Sequence, residues 1–435
     1  MDTQEPKARL DQLPPELIHI ILEAIPDIQS LELAVLSGPS LYSVFKRSQT
    51  RITKRVLLRQ VPKSLLHEAV AVKAAREAFE PLDEFDEFEE IAEVPELFDS
   101  FSEDYRDRTE SGKFRRSVRF KLSHARKLAA VQPHVEFFTK RLVSDVLARN
   151  PITGESASSP RPLSGRERNR IQCALYRFEI YCSLLQGSTE VASLPENGSF
   201  EYFGFLEERE IAQLACICRF AEEYPAQEIE QLACIYEFLL RIITPGKKSL
   251  SLVLHIHSLL RYWHDPHPEL SDLIAFPETR TNEFEYDEED IDLDPPEKSV
   301  FYTPQHHMCL GLAHIRRFAE AETPQACLDI IAATNEREGL PEFSSYYLSP
   351  ARPWGDYLVK DVDPETRKSR MKPWYPDRNP GPRDVWLWGR WSLPFDEPLF
   401  SPRTEPLRRW AYVMWDKSRL DEWKVFEQEW QPSLE

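Results

Sequence analysis

Leu13-Pro14-Pro15-Glu16-Leu17-Ile18-His19-Ile20-Ile21-Leu22-Glu23-Ala24-Ile25-Pro26 is the stretch from which the fold is read. Pro14 and Pro15 suit the first turn of a helix, where a missing amide hydrogen costs nothing. Leu17, Ile21, Ala24 and Ile25 then recur at helical spacing until Pro26 stops the helix. Ile18 and Leu22 form a second stripe beside the first, so the helix is apolar over a wide arc and can bury one side while offering the other. On this reading Leu17 and Ile21 belong to the helix's own core, while Pro14 and Leu22 belong to the offered side.

Working outward, Asp27 can cap a second helix running through Leu31, Ala34 and Val35 to a stop at Ser37-Gly38-Pro39. A third helix follows, with Leu41, Phe45, Ile52 and Val56 on one face, Val44 alongside and Pro62 closing the unit. Residues 10–60 are thus predicted to form a three-helix unit. Leu65 to Phe79 reads as a further amphipathic helix, and the helical body extends from 61 to about 340. Within it, 150–166 holds four Ser, three Pro and two Gly and is predicted to be a flexible loop, with the helical pattern resuming at Ile171. Leu214-Ala215-Cys216-Ile217 and Leu232-Ala233-Cys234-Ile235 suggest the facing core strips of a helical hairpin. From 341 to 435 the composition changes: twelve prolines fall between Pro341 and Pro406, and nine of the ten tryptophans follow residue 350. Proline excludes regular helix from most of that stretch, so it is predicted to wrap over the helical body and to end in a helix. The fold class is mainly α.

Composition narrows the function. With 41% apolar and 11% aromatic residues over 435 positions, the chain can bury substantial cores. The net charge of −19 is confined to two runs, twelve acids with no Lys or Arg in 80–104 and nine in 283–297; the remainder is nearly neutral. That balance disfavours nucleic acid as a partner. The basic stretch from Lys113 to Lys127 is read as an internal charge partner of the first acidic run. The polar opening residues lack a secretory signal, and the most apolar window, Leu250 to Leu260, is too short for a membrane span. The expectation is an intracellular protein, cytoplasmic or nuclear or both, that does not enter a membrane. Seven scattered cysteines fit reduced, mostly buried thiols.

Catalytic signatures are absent. There is no phosphate-cradling glycine loop and no Gly-x-Ser-x-Gly elbow. Cys216 and Cys218, two apart on a helix, point about 200° apart and suit a common metal poorly. His255, His257, His264 and His267 are the one histidine cluster, and on the helix that Leu250 to Tyr262 suggests, the first two cannot share a face. No metal or cofactor is expected. Trp386, Trp388 and Trp391 could offer a rigid partner-binding platform or clamp the wrap onto the helices, and the surrounding prolines favour the clamp.

The opening Leu13-Pro14-Pro15-Glu16-Leu17-Ile18 with Ile21-Leu22 resembles the start of an F-box, whose pattern is a Leu-Pro-x-Glu-Leu/Ile opening, a short helix ending in Ile-Leu and two further helices. The resemblance implies binding to the Skp-type adaptor of a cullin ubiquitin ligase through Leu13, Pro14, Leu17, Ile18, Ile21, Leu22 and Leu31. Where many F-boxes continue with a Val-Cys-Arg-like stretch and an aromatic, this sequence reads Leu36-Ser37-Gly38-Pro39-Ser40-Leu41-Tyr42. That variant and the ending Leu407-Arg408-Arg409-Trp410-Ala411-Tyr412-Val413-Met414-Trp415-Asp416 are similar to a large group of filamentous-fungal proteins with F-box-like beginnings. The resulting expectation is a non-enzymatic substrate receptor: residues 10–60 dock on the adaptor, and the body with its Trp-rich wrap holds an unknown target protein. The alternatives are a helical interaction or scaffold protein and an enzyme with an unrecognised site.

Overall fold

A computed structural model describes residues 13–78, 100, 101, 103, 105, 120–156, 161–186, 226–244, 304–335, 379–390, 393 and 402–430. Among them the protein is mainly helical and has no strand; a single bridge joins Arg149 and Ser156. Pro14 is the N-cap of α1 (Pro15–Ala24). Asp27 caps α2 (Ile28–Leu36), its carboxylate accepting the Ser30 amide at 2.7 Å and the Ser30 hydroxyl at 2.8 Å. α3 (Pro39–Gln60) is kinked at Ser48 and buries Leu41, Val44, Phe45, Ile52 and Val56, the expected inner face.

α1 and α2 both lie against α3. The side of α1 that does so is the reverse of the expected one: Ile18 and Leu22 are buried, whereas Leu17 and Ile21 face outward. Either stripe would satisfy helical spacing; the burial of Ile18 and Leu22 where α1 meets α3 settles which one is inside.

The three-helix unit merges with the body through α5 (Leu122–Ala129), against which α2 and α3 pack. Gln60 clasps the junction, its Oε1 accepting the Ile28 amide at 3.0 Å and its Nε2 donating to the Ala129 carbonyl. α4 (Leu66–Ala78), α6 (Gln132–Leu147), α8 (Ala226–Ile243), α9 (Pro304–Cys309) and α10 (Gly311–Glu320) surround α7 (Gly165–Gln186), with α11 (Pro324–Asn335) beyond α10.

From Ile171 to Leu184 every side chain of α7 is buried, as befits a central helix. The helix starts earlier than Ile171 because Ser164 and Glu167 form a reciprocal cap. The Ser164 hydroxyl accepts the Glu167 amide at 3.1 Å, and the Glu167 carboxylate accepts the Ser164 amide at 2.9 Å. The loop predicted at 150–166 therefore includes this cap, and also a turn around Gly154 (φ +72°) closed by the Arg149–Ser156 bridge.

Charged residues on so buried a helix need partners. Arg177 donates from Nε to Glu68 on α4 at 3.1 Å and pairs with Glu228 on α8; the Tyr105 hydroxyl donates to the other Glu68 oxygen at 2.8 Å. Glu179 accepts the Leu312 amide at 2.8 Å and pairs with Arg76, fixing the corner where Gly311 (φ +77°) lets α9 turn into α10. A Cβ on Gly311 would lie 2.8 Å from that carboxylate.

The C-terminal segment is held by the same device. α12 (Gly381–Arg390) forms despite the expectation that prolines exclude helix here, because Pro382 falls in its first turn. After it come α13 (Glu405–Arg408) and α14 (Lys417–Glu422), with short 3-10 turns at 402–404, 412–414 and 425–427 in place of one long terminal helix. Arg390 and Arg408 both donate to Glu230 of α8, at 2.7 and 2.8 Å, and all three side chains are fully buried. Arg419 grips Glu167 through two hydrogen bonds of 2.8 Å, and Arg170 reaches the Met414 carbonyl and Asp416, each at 2.8 Å. Trp386 is wholly buried, and Trp410, Trp415 and Trp423 pack edge to face.

Candidate protein-docking surface

Helix α1 advances about 100° per residue, so Leu17, Ile20, Ile21 and Ala24 share one outward arc of roughly 100°. Leu17, Ile20 and Ile21 are 46%, 59% and 37% exposed and form an apolar ridge. The other large apolar side chains exposed among the described residues are Leu33 and Leu36 on α2 and Tyr42 on α3. All six belong to the first three helices, while the described remainder of the chain buries its large apolar residues or half-covers them. Concentrated exposure of this kind marks an interaction surface more often than scattered exposure does.

The ridge has a charged flank. Glu23 lies about 60° from Ile20 around the helix, and α3 brings a row of arginines to it. Arg51 donates from Nε to the Glu23 carboxylate at 2.8 Å, and Arg55 approaches its other oxygen at 3.6 Å. Arg59 donates to the carbonyls of Glu23 and Ile25, at 3.0 and 2.6 Å, and so closes the C-terminus of α1, where positive charge also complements the helix dipole. His19 contacts the same carboxylate at 3.1 Å. Burial would raise the Glu23 carboxyl, but the Arg51 and His19 hydrogen bonds and charges hold it below its ordinary value. Arg51 and Arg55 remain 71% and 62% exposed, so one shielded carboxylate faces two guanidiniums that still meet solvent.

The residues that the F-box resemblance singles out divide between the two sides. Pro14, Leu17 and Ile21 are exposed and Leu13 is half-buried. Ile18, Leu22 and Leu31 are core residues, so they cannot serve as contact points without opening the unit. Trp386 is likewise internal, which removes it from any binding platform. Trp388 is half-buried against Phe426 and Trp430, its indole donating to the Gln428 carbonyl at 2.9 Å; that is the clamp arrangement. Trp391, the four-histidine cluster, Cys216 and Cys218 with the rest of the tetrapeptide before Pro225, nearly all of the first acidic run and all of the second lie outside the described residues. At the described end of the basic stretch Arg126 meets Glu32 and Lys127 meets Glu77, while its start at 113–119 lies outside the described residues along with most of the acidic run expected to pair with it.

No arrangement of catalytic type was found among the described residues. The five described cysteines carry no disulfide, and four of them are buried. Burial pushes the thiols of Cys173, Cys182 and Cys234 up, which opposes thiolate chemistry. His67 adjoins the Glu68–Arg177 pair, but burial and the Arg177 charge lower its imidazole to about 3, so it is neutral and enclosed. No group of three His, Cys, Asp or Glu side chains could hold a metal among these residues, and none of their helices is long and apolar enough to cross a membrane. Two surface clefts are lined mainly by charged groups, the first by Lys73, Arg76, Glu77, Arg126 and Lys127, which are already ion-paired.

Sequence reasoning missed the outward role of Ile20, Leu33, Leu36 and Tyr42, and it missed the arginine row. The row had a signal: α3 carries Lys46, Arg47, Arg51, Lys54, Arg55 and Arg59 with no acid, in a chain of net charge −19. Compared with known proteins, the chain matches no family model, no curated protein and no solved structure.

Proposed function

We propose that the chain acts by protein binding, as a receptor subunit whose first three helices dock on a Skp-type adaptor of a cullin ubiquitin ligase while the helical body presents a target protein. The reading assigns it no catalytic step and places it in the cytoplasm or nucleus, where such ligases work. One observation carries it: every large apolar side chain that is exposed among the described residues lies between Leu17 and Tyr42. An unoccupied docking surface has that appearance. The reading rests on Leu13, Pro14, Leu17 and Ile21, joined by Ile20, and no longer on Ile18, Leu22 or Leu31.

Burial of those last three favours a second reading, in which the unit begins the core of a helical scaffold and meets no adaptor. Co-purification of the full chain with the adaptor separates the two. Under the receptor reading wild type retains adaptor, and Leu17→Glu with Ile21→Glu loses it while circular dichroism stays unchanged, since both side chains already face water. A folded wild type that never retains adaptor leaves the scaffold reading standing.

A further inference from the structure

The apolar ridge and the arginine row are adjoining parts of one surface. Ile20 is the ridge residue nearest Glu23 around α1, and Glu23 is where Arg51, Arg55 and Arg59 converge. Two guanidiniums share the single Glu23 carboxylate and Arg59 meets only backbone carbonyls, which leaves the row with surplus positive charge, and Lys46 and Arg47 lie exposed on the same helix. Six Lys and Arg and no acid fall on this one helix, in a chain that is acidic overall.

We propose that ridge and row form a composite docking face whose partner is a protein surface with an apolar groove rimmed by carboxylates. The inference rests on the receptor reading and deepens it by stating what the partner's docking site must carry. α1 enters the groove by its Leu17, Ile20 and Ile21 side, a helix-in-groove mode with anchors three and four residues apart. Arg51 and Arg55 meet the acidic rim; they govern encounter rate and choice of partner, while the apolar anchors govern residence time. Arg59 is committed to the end of α1 and serves as a positioning residue. An anionic membrane would also attract the row, but the adjoining ridge of Leu17, Ile20 and Ile21 matches the anchor spacing of a helix entering a protein groove.

The test measures association and dissociation rates of the full chain with the Skp-type adaptor at two salt concentrations. For wild type, association should slow about tenfold from low to high salt. Arg51→Gln with Arg55→Gln should reduce low-salt association by roughly three- to tenfold and flatten the salt response, leaving dissociation within about twofold. Arg51→Lys with Arg55→Lys should restore the rate, which guards against a mere loss of fold. Equal rates and salt response for wild type and the Gln variant overturn this inference alone, provided the Leu17→Glu, Ile21→Glu variant fails to bind. Absence of binding by wild type overturns the receptor reading and this inference with it. Arginine-dependent adsorption to phosphatidylserine vesicles without adaptor binding overturns the protein partner in favour of a lipid surface.

Discussion

Replacing Glu230 with Gln tests whether the buried ion pairs hold the C-terminal segment in place. The substitution keeps shape and one acceptor but removes the negative charge between Arg390 and Arg408, both fully buried, with Glu237 3.9 Å from Arg408. Breaking a buried pair from one side typically costs about 3–5 kcal/mol because a buried charge is left uncompensated. Against a total stability of about 5–15 kcal/mol that is a large fraction. Urea unfolding followed by circular dichroism and tryptophan fluorescence reads it directly. The comparison variant is Glu237→Gln, a longer and partly exposed contact, which should lose less than about 1 kcal/mol. The pH dependence has a definite sign. Burial alone would raise the Glu230 carboxyl, but the two guanidiniums hold it below the ordinary value. The unfolded chain then takes up the proton first on acidification, so the stabilisation is complete above about pH 4.5 and is lost as pH falls further. Glu230→Gln should show a shallower acid limb than wild type. A loss below about 1 kcal/mol together with an unchanged acid limb would refute the view that these charges anchor the segment.

Three other outcomes are expected. Gly381→Ala would place a Cβ in overlap with the Lys417 amide nitrogen and 2.7 Å from the Trp415 carbonyl, so backbone must move; thermal denaturation should show a loss of about 1–3 kcal/mol. Glu68 is expected to behave oppositely to Glu230, because burial raises its carboxyl and the one guanidinium it meets is shared with Glu228. Its contribution is therefore fullest below the ordinary carboxylate range and declines as pH rises, and Glu68→Gln should flatten that decline in pH-dependent urea unfolding. His67, lowered to about 3, should show no imidazole titration by NMR between pH 8 and 5; a midpoint near 6.5 would mean that the pocket around it admits water.

The local elements were legible because their signals are local. Asp27, Gly38-Pro39 and Pro62 bound α2 and α3 by the chemistry of capping and of proline, and the apolar spacing of α3 named its inner face correctly. The α7 cap was legible in the same way, as Ser164 three residues before Glu167, and was overlooked among the prolines and glycines around it. On α1, two apolar stripes were equally good by period, and only the position of α3 separates them. The buried pairs could not be read at all. Glu230 and Arg408 lie 178 residues apart, and a buried carboxylate looks no different in sequence from the many solvated ones of an acidic chain. The arginine row sits between these cases: its excess charge was visible, but its convergence on Glu23 depends on how α1 crosses α3.

The pairing of Glu167 with Arg419 spans 252 residues. At a synthesis rate of about 5–20 residues per second, the carboxylate leaves the ribosome roughly ten to fifty seconds before its guanidinium. Throughout that interval Glu167 lacks its arginine and Arg170 lacks Asp416, and the apolar faces meant for α12 to α14 stay open to other chains. A nascent chain paused before Arg390 therefore lacks the guanidiniums that Glu230 and Glu167 receive, and it leaves apolar surface of α7 and α8 uncovered.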